Sequence, residues 1–227
     1  MQNIEIVNLS YLLLPILVVA YFYYKWVNNR GEIVYASIRM IIQLLLIGYL
    51  LSYIFNNKSS IYTAIIVTIM IISASLITFR NIQKRDFATL KYIFFSILVG
   101  GSINLFLVIF FVLEIKSFNE PRFIIPIAGM LYANCMNAVS LAAERFEKER
   151  TTKNRFIARA TALKASLIPQ INSFLAVGLV SLPGMMTGQI LSGVDPIIAV
   201  RYQIMVMFMV LGSSGISTIL YLYFKSK

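Results

Sequence analysis

Any chemistry in this sequence has to be done without histidine, which is absent, and with one cysteine, Cys135. The commonest transition-metal ligand, the usual near-neutral acid–base group and an internal disulfide are therefore excluded. Gly212-Ser213-Ser214-Gly215 lacks the spacing of a nucleophile elbow, and no imidazole is available to activate its serines. There is no glycine-rich phosphate loop ending in Lys-Ser or Lys-Thr, so the chain hydrolyses no ATP itself. Beyond residue 165 the only acid is Asp195, and Asp before Pro196 is an ordinary helix-start signal.

What remains is soft or neutral. Met130, Met136, Met185, Met186, Met205, Met207 and Met209 offer thioethers, which suit copper(I) better than iron. Methionine is equally a flexible core filler. Arg39 and Gln43 lie one helical turn apart and share a face. That arginine either snorkels to headgroups or points into a polar path. Met130, Asn134, Asn137 and Leu141 follow helical spacing, so the asparagines serve as interhelical glue or line a path. Arg39, Gln43, Asn134, Asn137, Asn172, Met185, Met186 and Gln189 are the candidate path residues. No metal site is assigned, and a metal would cross as a complex or past backbone carbonyls near Pro183.

These residues belong to elements set by a bilayer. Of 227 residues, 59% are hydrophobic and 13% charged, with mean hydropathy +0.80, so a soluble fold could not cover its apolar surface. The expected class is an all-α polytopic transmembrane bundle, a single domain over 1–227. Membrane-length runs fall near 8–25, 33–55, 60–79, 92–113, 123–143, 166–191 and 200–224. Glu5 is the only charge before the first run, which therefore reads as a retained helix rather than a cleaved signal. The fifth run is the least lipid-like, because of Pro126, Asn134, Asn137 and Ser140.

The net charge of +11 sits in short clusters between apolar runs, which argues for topology signals and against nucleic acid. Lys25 and Arg30 follow the first run. Arg80, Lys84, Arg85 and Lys91 follow the third; seven basic residues lie from Arg145 to Lys164; Lys225 and Lys227 end the chain. Alternate connections hold only Lys58, then Lys116 and Arg122. Seven spans follow, with the N-terminus outside and the C-terminus cytoplasmic. The cytoplasmic segment 144–165 has apolar spacing at Phe156, Ala160 and Leu163 flanked by Arg155, Arg159 and Lys164. It reads as a basic amphipathic helix, lying on anionic headgroups or docking a partner. The sixth run is interrupted at Pro183-Gly184, with Gly188 one turn on. Broken backbone at membrane depth must be covered or line a wet cavity, so Pro183, Gly184 and Gly188 are expected to act as a hinge or as a filled kink.

Six stretches together carry a family resemblance: RMIIQLLLIGYLL (39–51), IPIAGM (125–130), NAVSLAAERF (137–146), SLIPQINS (166–173), GLVSLPGMMTGQILSGVDP (178–196) and AVRYQIMVMFM (199–209). They resemble the Fet-type iron-export permeases of ABC transporters, related to plant permeases linked to aluminium tolerance. The resemblance implies a multi-pass permease of the bacterial inner membrane, working as a homodimer with a separate ATP-binding cassette subunit that holds ATP–Mg. It implies no cofactor bound by this chain. Arg155, Phe156, Arg159 and Leu163 would then be the residues docking the ATPase. One departure stands out: the family's acidic-Leu-x-Leu-Gly-Ala docking loop is lost or reduced, with no glycine between Met130 and Val177 and a short segment from Glu144 to Lys164, so that Arg155 to Lys164 either offers a short coupling helix or couples weakly. An inactive or regulatory subunit, a permease for an organic or sugar-nucleotide substrate, and a secondary transporter are the alternatives.

Overall fold

In the computed structural model, residues 5–27, 31–57, 60–82 and 85–226 are described. Arg30, Lys58, Lys84 and Lys227, used in the charge reading, lie outside them. The chain forms two packing units, 1–57 and 58–227.

In the first unit a short helix α1 (Ile6–Leu9) and a tighter turn, Ser10–Leu12, lead into α2 (Leu13–Val27), followed by α3 (Glu32–Asn57). The Tyr23 hydroxyl donates to Glu32 Oε2 at 2.7 Å, joining the end of α2 to the start of α3. No side chain of α2 is buried. Such all-round apolar exposure is stable only with lipid as the solvent.

The second unit holds α4 (Ser60–Arg80), α5 (Phe87–Leu107), α6 (Pro121–Glu149), α7 (Arg155–Ala176), α8 (Gly184–Leu191) and α9 (Pro196–Lys225). Helix α6 is its centre. Ile124, Ala128, Leu131, Cys135, Val139, Ala142 and Phe146 recur every three or four residues and are fully buried. The fifth run is thus a continuous helix despite Pro126. Glycines let α5 and α9 approach closely. A Cβ on Gly100 would lie 2.7 Å from Ser217 N, and one on Gly212 would lie 2.7 Å from Asn104 Oδ1. Small residues at such crossings replace a hydrophobic drive that lipid does not supply. Past α5 the helix widens into a π turn, Val108–Val112, and ends at Glu114 with φ 51°.

Among the described residues six helices are long and apolar enough to cross a membrane: α2 with its leading turns, α3, α4, α5 with its π turn, α6 and α9. The expected span over 166–191 is not one helix. It is divided into the C-terminal part of α7 and the short α8, because the chain reverses locally at Val177–Ser181 before Pro183 is reached. The segment 144–165 is also not a free-standing helix. Its first residues finish α6 and its last ones start α7, with a tight reversal between. Glu149 accepts from Arg145 at 2.7 Å and from Lys153 at 2.6 Å, and the Asn154 side chain caps α7 at Phe156 N, 3.4 Å away.

The helix ends of this unit sort by charge. Lys225 Nζ approaches Asp86 Oδ1 at 3.9 Å, and Arg159 donates to Ser226 Oγ at 3.3 Å. One end therefore gathers the C-terminus of α9 and the N-termini of α5 and α7. Asn81 beyond α4 shares a polar cleft there with Glu144, Glu147 and Lys148 of α6. At the other end the Ser60 hydroxyl donates to Asn119.

Candidate substrate path

The candidate path lies where α7 stops. Its inward stripe is Ala158, Ala162, Ser166 and Gln170, four residues apart, and Phe174 continues that spacing to meet Phe208 of α9 at 6.0 Å between centroids. After Ala176 the chain turns on itself. The amides of Leu179, Val180 and Ser181 all donate to Ala176 O, at 3.2, 2.8 and 3.2 Å, and Gly178 N donates to Ser181 O at 3.0 Å. Gly178 takes φ +83°, which only glycine adopts without strain. Four amides freed by the end of the helix thus find acceptors inside the turn, as backbone kept from water requires.

Pro183 then caps α8 rather than kinking a longer helix. The hinge expected at Pro183, Gly184 and Gly188 therefore lies at the start of a new helix, and the break precedes it. Helix α8 closes with Gly193 N on Ile190 O and Val194 N on Gln189 O, both at 3.0 Å, with Gly193 at φ +91°. Asp195 caps α9 by accepting from Ile197 N at 2.8 Å and Ile198 N at 3.3 Å, the helix-start role its position before Pro196 implies.

Two cavities adjoin this break. One of about 320 Å³ is lined by the turn, by Met186 of α8 and by Gln203, Ile204 and Met207 of α9, among others. The other, about 250 Å³, is lined by Asn134, Pro169, Gln170 and Ser173. Phe174 and Met207 belong to both walls. Neither wall contains a charged side chain. Gln203 is 5% exposed and Gln170 7%, yet the Oε1 atom of each has no hydrogen-bond partner, and the same holds for Gln189.

Of the path residues expected from sequence, Met186 and Asn134 line these cavities, Asn134 also donating to Met130 O at 2.8 Å. Gln189 is half-buried on α8, and Met185 packs against the core. Asn137 and Asn172 are exposed, because the buried face of α6 runs through Cys135 and Val139 and that of α7 through Ser166 and Gln170. Arg39 and Gln43 are exposed on α3 of the first unit. Gln170, Ser173 and Gln203 also line these cavities and were not among the residues expected. The signal was there: each is a polar side chain within a membrane-length run, the property that singled out Gln43.

At the charged end, Phe156, Arg159 and Leu163 come together in a groove of about 270 Å³ closed by Ile219, Leu222 and Tyr223 of α9. The Arg159 guanidinium stands 5.5 Å over the Phe156 ring. Arg155 is exposed beside it. Among the described residues no three His, Cys, Asp or Glu side chains gather closely enough to hold a metal ion.

A multi-pass helical membrane protein in which α7 ends in a tight turn beside uncharged cavities is the class these observations define. The chain belongs to the Uncharacterised protein family (UPF0014), whose profile matches residues 6–160 and 155–227. The two matched stretches overlap at residues 155–160, in the first turns of α7. The Probable iron export permease protein FetB of Escherichia coli is 36% identical over 215 residues, 85% of this chain and 79% of that protein. The UPF0014 membrane protein slr1647 of Synechocystis is 32% identical over 88% of this chain and 84% of its own length. The Arabidopsis thaliana Protein ALUMINUM SENSITIVE 3 is 32% identical over 92% and 81%. No solved structure matches.

Proposed function

We propose that this chain is the membrane-spanning permease subunit of an ATP-binding cassette exporter of the bacterial inner membrane, paired with a second copy and driven by separate ATPase subunits that carry ATP–Mg. The observation that carries the reading is its similarity, across most of both chains, to a protein named as an iron export permease. The geometry supports it. A traverse broken into α7 and α8 keeps its backbone satisfied by local turns, so it can change shape without breaking a continuous helix. The groove of Phe156, Arg159 and Leu163, at the basic end, is the surface offered to the ATPase. Iron is the cargo FetB's name suggests; with no carboxylate or thiolate lining the cavities, it would pass here as a complex.

A second reading, a regulatory subunit without its own motor, is favoured by the family match dividing at 155–160. Co-purification with the ATP-binding subunit encoded beside it, followed by ATPase assay in lipid with and without iron, separates the two. Stable association with cargo-stimulated hydrolysis is expected. A folded chain that binds no ATPase would leave only the regulatory reading.

A further inference from the structure

We infer that the groove between α7 and α9 holds an anionic phospholipid, its phosphate on Arg159 and one acyl chain running inward past Leu163 and Ile219. This goes beyond the permease reading and does not rest on it. The groove changes character with depth. At its mouth the half-buried Arg159 guanidinium is placed by two neutral groups, the Phe156 ring at 5.5 Å and the Ser226 hydroxyl at 3.3 Å. Among the described residues it forms no ion pair. Inward, the walls are Ala160 and Leu163 of α7 and Leu222 and Ile219 of α9, all apolar.

A guanidinium carries five N–H donors, and Ser226 accepts from one of them. Arg155, exposed one turn before Arg159, adds a like charge on the same face, and the first turn of α7 holds no acid to offset the pair. An anion is what this mouth lacks, and a phosphate meets a guanidinium through two parallel hydrogen bonds. Depth decides which anion. Helix α9, with 30 residues, is about 45 Å long against a hydrocarbon core of about 30 Å, so its last turn reaches the headgroups. Ile219 lies about 9 Å inside the Lys225 end and is exposed, among acyl chains. Leu163 lies about 12 Å inside the start of α7. A free phosphate or a cytoplasmic protein meets the mouth and misses this inner wall; a phospholipid meets both. A zwitterionic headgroup would bring a cation of its own toward the two arginines, whereas an anionic one neutralises them. The exposed outer side of the Phe156 ring stays open to the ATPase.

The full chain would be reconstituted in phosphatidylcholine nanodiscs containing phosphatidylglycerol with a photoactivatable diazirine on one acyl chain, irradiated, and the labelled residues mapped by mass spectrometry. Labelling at Leu163, Ile219 or Leu222 is expected, suppressed by unlabelled phosphatidylglycerol. It should fall about tenfold when phosphatidylcholine carries the same diazirine chain, and about tenfold in Arg159→Gln, the equivalent of one hydrogen bond to a charged group. Arg159→Lys, which keeps the charge, should restore most of it. Should Arg159→Gln fail to fold, Arg155→Gln, at an exposed position, carries the comparison with a loss of about fivefold. Equal labelling with the two headgroups, or undiminished labelling in the glutamine variants, would overturn the inference. So would suppression by inorganic phosphate at constant ionic strength, which would make this a site for the free anion. Suppression by a bound ATPase would overturn it too, since the groove would then be the partner's alone. Headgroup-selective labelling of a chain that binds no ATPase keeps the lipid site and removes the permease.

Discussion

Gly100 is where one atom decides whether α5 and α9 can pack. A Cβ there would press on the Ser217 side chain and lie 2.7 Å from Ser217 N and 3.0 Å from Ser213 O, and the backbone of a buried helix has no room to yield. Gly100→Ala should therefore cost about 1–3 kcal/mol, read as a lowered thermal midpoint in detergent. Gly129→Ala is the control: its Cβ would meet only Met70 Cε, at 3.8 Å, in ordinary helical backbone, so it should raise the midpoint slightly rather than lower it. Asp86 works through charge. Its carboxylate accepts from Thr89 N at 3.0 Å, caps α5 and faces Lys225, whose ammonium also donates to the Thr89 hydroxyl. The Thr89 hydrogen bond above all, with Lys225 behind it, holds the Asp86 carboxyl below its ordinary value of 3.8. A carboxyl depressed on folding adds stability above its unfolded value and loses it as pH falls through the folded one. Asp86→Ala should thus cost about 1 kcal/mol near neutrality, the worth of an N-cap, with the gap to wild type closing only below pH 3.8. Asp86→Asn keeps the cap and loses only an attraction screened at a side chain 62% exposed, so it should be nearly neutral.

At the scale of elements, the break between α7 and α8 shows what hydropathy can and cannot reveal. Helices α2 through α6, and α9, were legible because about 20 consecutive apolar residues have few alternatives to a spanning helix. The run over 166–191 is also predominantly apolar, but its average says nothing about whether the chain continues or turns. That is settled at Gly178, where φ +83° admits the Ala176–Ser181 turn, five residues before the proline that drew attention to itself. Nothing lies within 4 Å of a Cβ on Gly178, so Gly178→Ala should lose about 1–2 kcal/mol through backbone conformation alone. Gly188 also has open space but ordinary helical backbone, so Gly188→Ala should gain about 0.5–1 kcal/mol from propensity. Thermal midpoints moving in opposite directions would place the sensitive joint before Pro183. Equal loss in both would return the joint to the Pro183–Gly188 segment.

For the molecule as a whole, the amino-acid order declared the bilayer and the family but not which residues line the two cavities. Met186 and Asn134 were recoverable because they lie on faces that turn out to be lined by cavities. Asn137 was not, since the choice of inward face on α6 is made by Cys135 and Val139 meeting neighbours far along the chain. The charge pattern is the other global property, and within residues 58–227 it acquires a physical direction. Arg80, Arg145, Arg159 and Lys225 belong to the end where Asn81, Asp86 and Ser226 also lie, while Lys116 and Arg122 flank the Ser60–Asn119 contact at the opposite end. Basic residues are retained on the cytoplasmic side because translocating them is unfavourable, so the first end should face the cytoplasm. Single cysteines at two exposed positions test this, because native Cys135 is fully buried and should remain silent. Ser117→Cys should react with a membrane-impermeant maleimide in intact cells, whereas Lys153→Cys should react only after permeabilisation. The reverse pattern would turn the unit over. It would also place the Phe156–Arg159 groove on the side without ATP, and so remove the docking surface that the permease reading requires.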